Sequence, residues 1–147
     1  MAKNKIRRSL TALIDPYPSK KEVDSLWSYF ESKCAYCGIE LLREERKGHQ
    51  DHIISLADGG TNDVHNFVLS CHICNGDEKR EENWHTFLRK KATDNIICSA
   101  RKNKIESWIA LSNGNQTDKK VKEEVEDIIC RALSSYDASV TKIRALK

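Results

Sequence analysis

Four cysteines in the pairs Cys34-x-x-Cys37 and Cys71-x-x-Cys74 bracket Asp51-His52 and His65-Asn66, and Asn75 follows directly after the last of them. Two thiolates held two residues apart chelate one ion from a tight knuckle, and two such knuckles complete the tetrahedral sulfur site that zinc favours. Cys34, Cys37, Cys71 and Cys74 are therefore read as the ligands of a structural zinc. Enclosed by this staple is a second set of donors, made of oxygen and imidazole. Asp51 offers a hard anionic oxygen and Asn75 a neutral carbonyl oxygen, a pair that suits magnesium or manganese and leaves coordination positions open. An unperturbed imidazole titrates near ~6.5, in the range useful to a general base at neutral pH, and His52 is placed beside Asp51. Taken singly, Asp51 and Asn66 read as loop residues capping backbone amides, and His52 reads as a core histidine. Their joint placement between two knuckles is what argues for chemistry.

The stretch from Cys34 to about Lys79, with the core DHIISLADGGTNDVHNFVLSCHICN, resembles the HNH, or ββα-metal, nuclease family in its zinc-stapled form. The separations from His52 to Asn66 and from Asn66 to Asn75 are similar to those in the HNH domain of RNA-guided nucleases. The resemblance implies an α+β fold: a ββα-metal, treble-clef-like core stapled by zinc and surrounded by α-helices. It implies a metal-dependent DNA endonuclease that leaves 5′-phosphate and 3′-hydroxyl ends. In that pattern His52 takes the proton from the attacking water, and Asp51 and Asn75 hold a catalytic Mg2+ or Mn2+. Asn66 holds the loop and orients His52. Many relatives carry a lysine three residues after the final motif position, where this chain has Glu78 and places the lysine at 79. Phosphate contacts are accordingly expected from Arg80, from Arg89, Lys90 and Lys91, or from the basic N-terminal arm. His49, His65, His72 and His85 stand off the motif position, although His49 and His65 could line the cleft and His72 lies between two zinc ligands.

The elements that must position these residues begin with a helix from about Ser19 to Ser32. Ser19 and Glu22 have capping-box spacing, and Val23, Leu26, Trp27 and Phe30 share one apolar face, so Trp27 reads as core. Pro16 and Pro18 give it an extended lead-in. Residues 38–42 and 49–54 are expected as two strands joined by the charged turn 43–48. The turn-forming loop 57–63 follows, then a short helix carrying Asn75. Helices are expected over 81–91, with Trp84, Phe87 and Leu88 inward, and over 95–111, with Ile97, Ile105, Trp108 and Ile109 inward. Residues 112–116 read as a linker. From Thr117 a long amphipathic helix presents Val121, Val125, Ile128, Ile129, Ala132 and Tyr136, with a break near Ser134-Ser135.

Three segments result: a basic N-terminal arm (1–18), a nuclease domain with flanking helices (19–112) and a C-terminal amphipathic segment (117–147). That last segment either folds back or forms a homodimer with a second copy. The 147 residues and 39% hydrophobic content suit a small globular protein, and the net charge of +3 alone decides nothing about partners. Its distribution says more. Lys3, Lys5, Arg7 and Arg8 open the chain without an acid, and Arg101, Lys102 and Lys104 extend the cluster at 89–91, which fits DNA as partner, while each cluster taken alone also fits a solvated helix face. The start of the chain leads into no apolar signal segment, and no run reaches membrane-spanning length. A reducing cytoplasmic setting is therefore expected, in which paired cysteines bind metal. Cys98 and Cys130 fall in apolar helical patterns and are expected as small buried residues. A second class of function stays open: a zinc-stapled nucleic-acid-binding module without catalysis.

Overall fold

The computed structural model describes residues 2–80, 82–113 and 118–146. In chain order its elements are α1 (Ala2–Thr11), α2 (Lys20–Tyr29), β1 (Gly48–His52), β2 (Phe67–Cys71), a π-helix (Ile73–Lys79), α3 (Trp84–Lys91), α4 (Asn95–Ala110) and α5 (Lys119–Arg144). They form two compact units, one of residues 17–114 and one of residues 1–16 with 115–147.

In the unit of residues 17–114, helices surround a small antiparallel sheet. The Ser19 hydroxyl accepts the Glu22 N–H while the Glu22 carboxylate accepts the Ser19 N–H at 2.7 Å, closing the expected capping box at the start of α2. Leu26, Trp27 and Phe30 are buried, so this face does pack as core. Burying each such side chain contributes about 1.5–3 kcal/mol. β1 pairs with β2 in the register Asp51 opposite Val68 and His52 opposite Phe67.

That pairing differs from the expected hairpin. Residues 38–42 do not form a strand; a single bridge joins Lys33 to Glu40. The reason lies in the first knuckle, which turns its hydrogen bonds inward: Gly38 N–H donates to Cys34 O, Cys34 N–H to Ile39 O, and Leu41 N–H to Ser32 O. Gly38 takes φ of +77° to make the turn. The partner of β1 is instead the continuous apolar run Phe67-Val68-Leu69-Ser70-Cys71, every residue of which is buried. A strand covered on both faces shows no alternation, so periodicity passes over it. Ala35 N–H donates to Leu69 O at 2.8 Å and docks the knuckle on β2. Gly48 is required by the same packing, because a Cβ there would lie 2.5 Å from the Trp27 ring.

The helix carrying Asn75 is a π-helix, followed at Arg80 by φ of +47°. The next helix begins at Trp84, capped by Asn83, rather than at position 81, which lies outside the described residues. Trp84, Phe87 and Leu88 are buried as expected. In α4, capped by Asp94 on two N–H groups, Ile105 and Trp108 are buried, but Ile97 and Ile109 are exposed, so its inward stripe is narrower than the sequence suggested. Cys98 is half-buried and Cys130 exposed, which corrects their placement as buried residues. The linker residues at 114–116 and the expected helix start at Thr117 lie outside the described residues.

In the other unit α5 runs unbroken through Ser134 and Ser135. Ser139 Oγ donates back to Ser135 O at 2.9 Å, which satisfies that hydroxyl within the helix. α1 packs against α5. Lys3 reaches Asp137 and Arg7 reaches Glu126, each at 2.6 Å, so two of the four cations of the N-terminal cluster face carboxylates of the same chain. Ile129 is the buried apolar residue of α5, while Val121, Ile128 and Ile143 are exposed. No helix among the described residues is long and apolar enough to cross a membrane.

Candidate metal and catalytic site

The four knuckle sulfurs converge. The Sγ atoms of Cys34, Cys37, Cys71 and Cys74 all lie within 4.8 Å of one another, and Cys37 Sγ is 3.8 Å from Cys71 Sγ. Four ligands at a zinc–sulfur distance of ~2.3 Å define a tetrahedron with edges of about 3.8 Å, so the spacing fits zinc. Cys34, Cys71 and Cys74 are buried. The thiol electrostatics point the same way. A hydrogen bond from Cys74 and backbone N–H groups hold the Cys34 thiol down at about 4, while burial pushes Cys37 up to about 11. Cys74 is pushed up through its bond to Cys34. Crowded thiols ionise together only when a cation sits among them.

Between the two cysteines of the first knuckle stands Tyr36, fully buried against Phe87 with ring centroids 5.1 Å apart. Its hydroxyl donates to Asp51 Oδ2 at 2.9 Å. The zinc knuckle thus touches the Asp51-His52 pair directly. Asp51 is 6% exposed. Burial raises its carboxyl above the usual range, against the pull of Lys79. Lys79, itself 4% exposed, places Nζ 3.0 Å from Asp51 Oδ2 and donates to the His52 carbonyl at 3.1 Å. This ammonium ties the last residue of the π-helix to both motif residues of β1. Asn75, half-buried, lies one turn earlier on that helix.

His52 sits at the end of β1 with its ring 4.1 Å from that of Phe67, its cross-strand partner. Its Nε2 is 3.2 Å from Asn62 Oδ1. Asn66 does the work of a loop pin. Its Oδ1 accepts the Ile54 N–H, and its Nδ2 donates to Ile54 O at 3.0 Å and to Thr61 O at 2.8 Å. Both amide hydrogens are committed to backbone, so the side chain that meets the His52 ring is Asn62 rather than Asn66. The loop is close-packed where Asn66 grips it: a Cβ on Gly60 would lie 2.0 Å from Ile54 O and 2.8 Å from Asn66 Nδ2.

Of the residues picked out by sequence, the structure gathers the four cysteines at one point. It joins Asp51, His52 and Asn66 through β1 and its loop, and sets Asn75 on the helix that Lys79 anchors. The other histidines take separate positions. His65 packs on Trp108 at 4.3 Å, and His49 and His72 are exposed. Arg80 and Arg89 are exposed. Lys90 pairs with Glu82 at 2.5 Å and Lys91 with Glu78, so acids from the same region already face both lysines. Sequence reasoning missed Tyr36, Asn62 and Lys79 as parts of the site. For Lys79 a signal existed in its displacement by one position from the family pattern; Tyr36 and Asn62 have no residue-type signature.

The family model described as HNH endonuclease matches residues 34–81. No curated protein and no solved structure matches the chain. The matched segment begins at Cys34, the first cysteine of the cluster, and takes in both knuckles, the Asp51-His52 pair, the Asn66 loop and the π-helix. Over residues 34–81 this chain is similar to HNH endonucleases.

Proposed function

We propose that the protein is a metal-dependent DNA endonuclease that hydrolyses phosphodiester bonds to 5′-phosphate and 3′-hydroxyl ends. The observation that carries this reading is the intact motif inside a zinc-stapled core: Asp51 and His52 on β1, Asn66 pinning the loop, and Asn75 on the helix that follows. His52 accepts the proton of the attacking water. Asp51 and Asn75 are the oxygen donors for a magnesium or manganese ion, a donor set that fits a hard cation. When bound, such an ion supplies charge relief on the phosphate and the leaving oxygen. Tyr36 and Lys79, both on Oδ2, fix the plane of the Asp51 carboxylate. Arg80 and Arg89 are exposed and are assigned to the DNA backbone, with Lys90 and Lys91 joining them when their acid partners release them.

Supercoiled plasmid with the zinc-loaded protein tests this. With magnesium or manganese the plasmid should become nicked, and DNA ligase alone should reseal the nicks, as 5′-phosphate and 3′-hydroxyl ends require. No cleavage with either ion, or nicks that ligase cannot close, would overturn the reading. One observation favours a non-catalytic nucleic-acid-binding module instead: the Asp51 carboxylate is already held in a buried ion pair. DNA binding of equal strength with and without magnesium, and no cleavage, is the outcome that reading requires.

A further inference from the structure

We propose that Arg101 of α4 is a positioning residue for metal binding at the four-cysteine cluster, gripping the peptide between Tyr36 and Cys37 so that the first knuckle is held ready to ligate zinc. The inference rests on the cluster as a zinc site and is independent of the nuclease reading. It also reaches beyond the matched segment, since Arg101 lies outside residues 34–81. Arg101 Nη1 donates to the Tyr36 carbonyl at 2.6 Å. A peptide unit is planar and trans, so its C=O and N–H point in opposite directions. The far end of the unit held at Tyr36 O is the Cys37 N–H, and that N–H is among the backbone groups that hydrogen-bond Cys34 and favour its thiolate. Gripping the oxygen therefore aims the N–H at the Cys34 sulfur. A charged donor on the carbonyl also polarises the unit and strengthens its N–H as a donor.

The guanidinium rests directly on the knuckle. A Cβ on Gly38 would lie 2.2 Å from Arg101 Nη2 and 3.0 Å from Cζ, so only glycine leaves this seat open. Arg101, Cys34 and Gly38 line the same open cavity. α4 presents Arg101 from a fixed base. Ile105 and Trp108, at i+4 and i+7, share its helix face and are buried. Trp108 Nε1 donates to Phe67 O at 2.9 Å, and the Tyr29 hydroxyl of α2 donates to Lys104 O at 3.0 Å. Tyr36 is then held at both ends, by Arg101 at its carbonyl and by Asp51 Oδ2 at its hydroxyl. Sequence groups Arg101 with Lys102 as neighbours in one basic cluster, but the fold separates them: Lys102 is exposed beside Glu106. Groups outside the ligand set that orient the ligands typically contribute 10–100-fold in metal affinity.

The test is the zinc affinity of the full chain, measured by competition with a chromophoric chelator in the absence of DNA and magnesium. Arg101→Met, which keeps an unbranched stem but loses the donor, should bind zinc roughly 10–100-fold more weakly than wild type. Arg101→Lys, which can still reach the carbonyl, should recover most of the loss. Lys102→Met removes the same charge from the adjacent exposed position and should leave the affinity unchanged. The hydrogen bond itself is read from the Cys37 amide proton by NMR at saturating zinc. That signal should move upfield in Arg101→Met and return toward its wild-type position in Arg101→Lys. Wild-type affinity in Arg101→Met, an equal loss in Lys102→Met, a Cys37 amide signal indifferent to Arg101, or a wild type that takes up no zinc would each overturn the proposal. If Arg101→Met does not fold at saturating zinc, Arg101→Gln, whose shorter side chain withdraws the donor, replaces it with the same expected loss and the same contrary result. These readouts need no turnover, so absence of plasmid cleavage would strike the nuclease reading alone.

Discussion

Replacing Lys79 by Met keeps most of the side-chain volume and removes the charge that faces Asp51. Both partners are buried, at 4% and 6% exposure, so water cannot take over the lost interaction. The Nζ group makes a 3.0 Å ion pair with Asp51 Oδ2 and a 3.1 Å bond to the His52 carbonyl, and both end together. Breaking a buried pair from one side costs about 3–5 kcal/mol, chiefly because the remaining charge stays buried without compensation. The cost depends on pH with a definite sign. Burial already raises the Asp51 carboxyl in the folded state, and without the ammonium it rises further. A group raised on folding contributes its full share below its unfolded pKa, near ~3.9, and loses it as pH rises through the folded value. The deficit of Lys79→Met relative to wild type should thus be smallest in acid and widen toward neutrality. Guanidinium unfolding followed by tryptophan fluorescence reports it, since Trp27, Trp84 and Trp108 all belong to the unit of residues 17–114. Adding Asp51→Asn to Lys79→Met should recover most of the neutral-pH loss, because the neutral amide still accepts from Tyr36. A Lys79→Met deficit below about 1 kcal/mol that does not vary with pH would refute the reasoning, as that is the range of an exposed ion pair.

Cys71→Ser should abolish stoichiometric zinc and unfold the unit of residues 17–114, because a structural zinc supplies folding free energy directly; metal analysis with circular dichroism checks this. Asn66→Ala removes three hydrogen bonds to the loop and should destabilise by about 2–4 kcal/mol, read from chemical unfolding. Gly60→Ala drives a methyl against the Ile54 carbonyl and should cost about 1–3 kcal/mol by the same assay, with zinc content unchanged.

Parts of this molecule were legible because their signals are local. The CxxC pairs specify their own knuckles, and the capping box at Ser19 and Glu22 with its apolar face specifies α2. The motif residues were found by type and spacing, and the family match spans the same segment. What escaped depends on contacts between distant positions. β2 carries no alternation because both of its faces are covered, and residues 38–42 have strand-like composition but turn their hydrogen bonds into the knuckle. Lys79 looks like one charge in an acidic run, and only the π-helix turns it inward to Asp51. The basic N-terminal cluster read as an arm, yet it forms a helix with Lys3 and Arg7 engaged by α5, a pairing across more than a hundred residues that no local pattern encodes.

The central claim is that His52 performs chemistry, and the most direct measurement compares plasmid nicking by wild type and His52→Ala at matched zinc content and saturating magnesium or manganese. The variant should keep its zinc and its unfolding midpoint while its cleavage rate falls roughly 10²-fold or more, as expected when a general base is removed. Cleavage by His52→Ala at the wild-type rate would contradict the account.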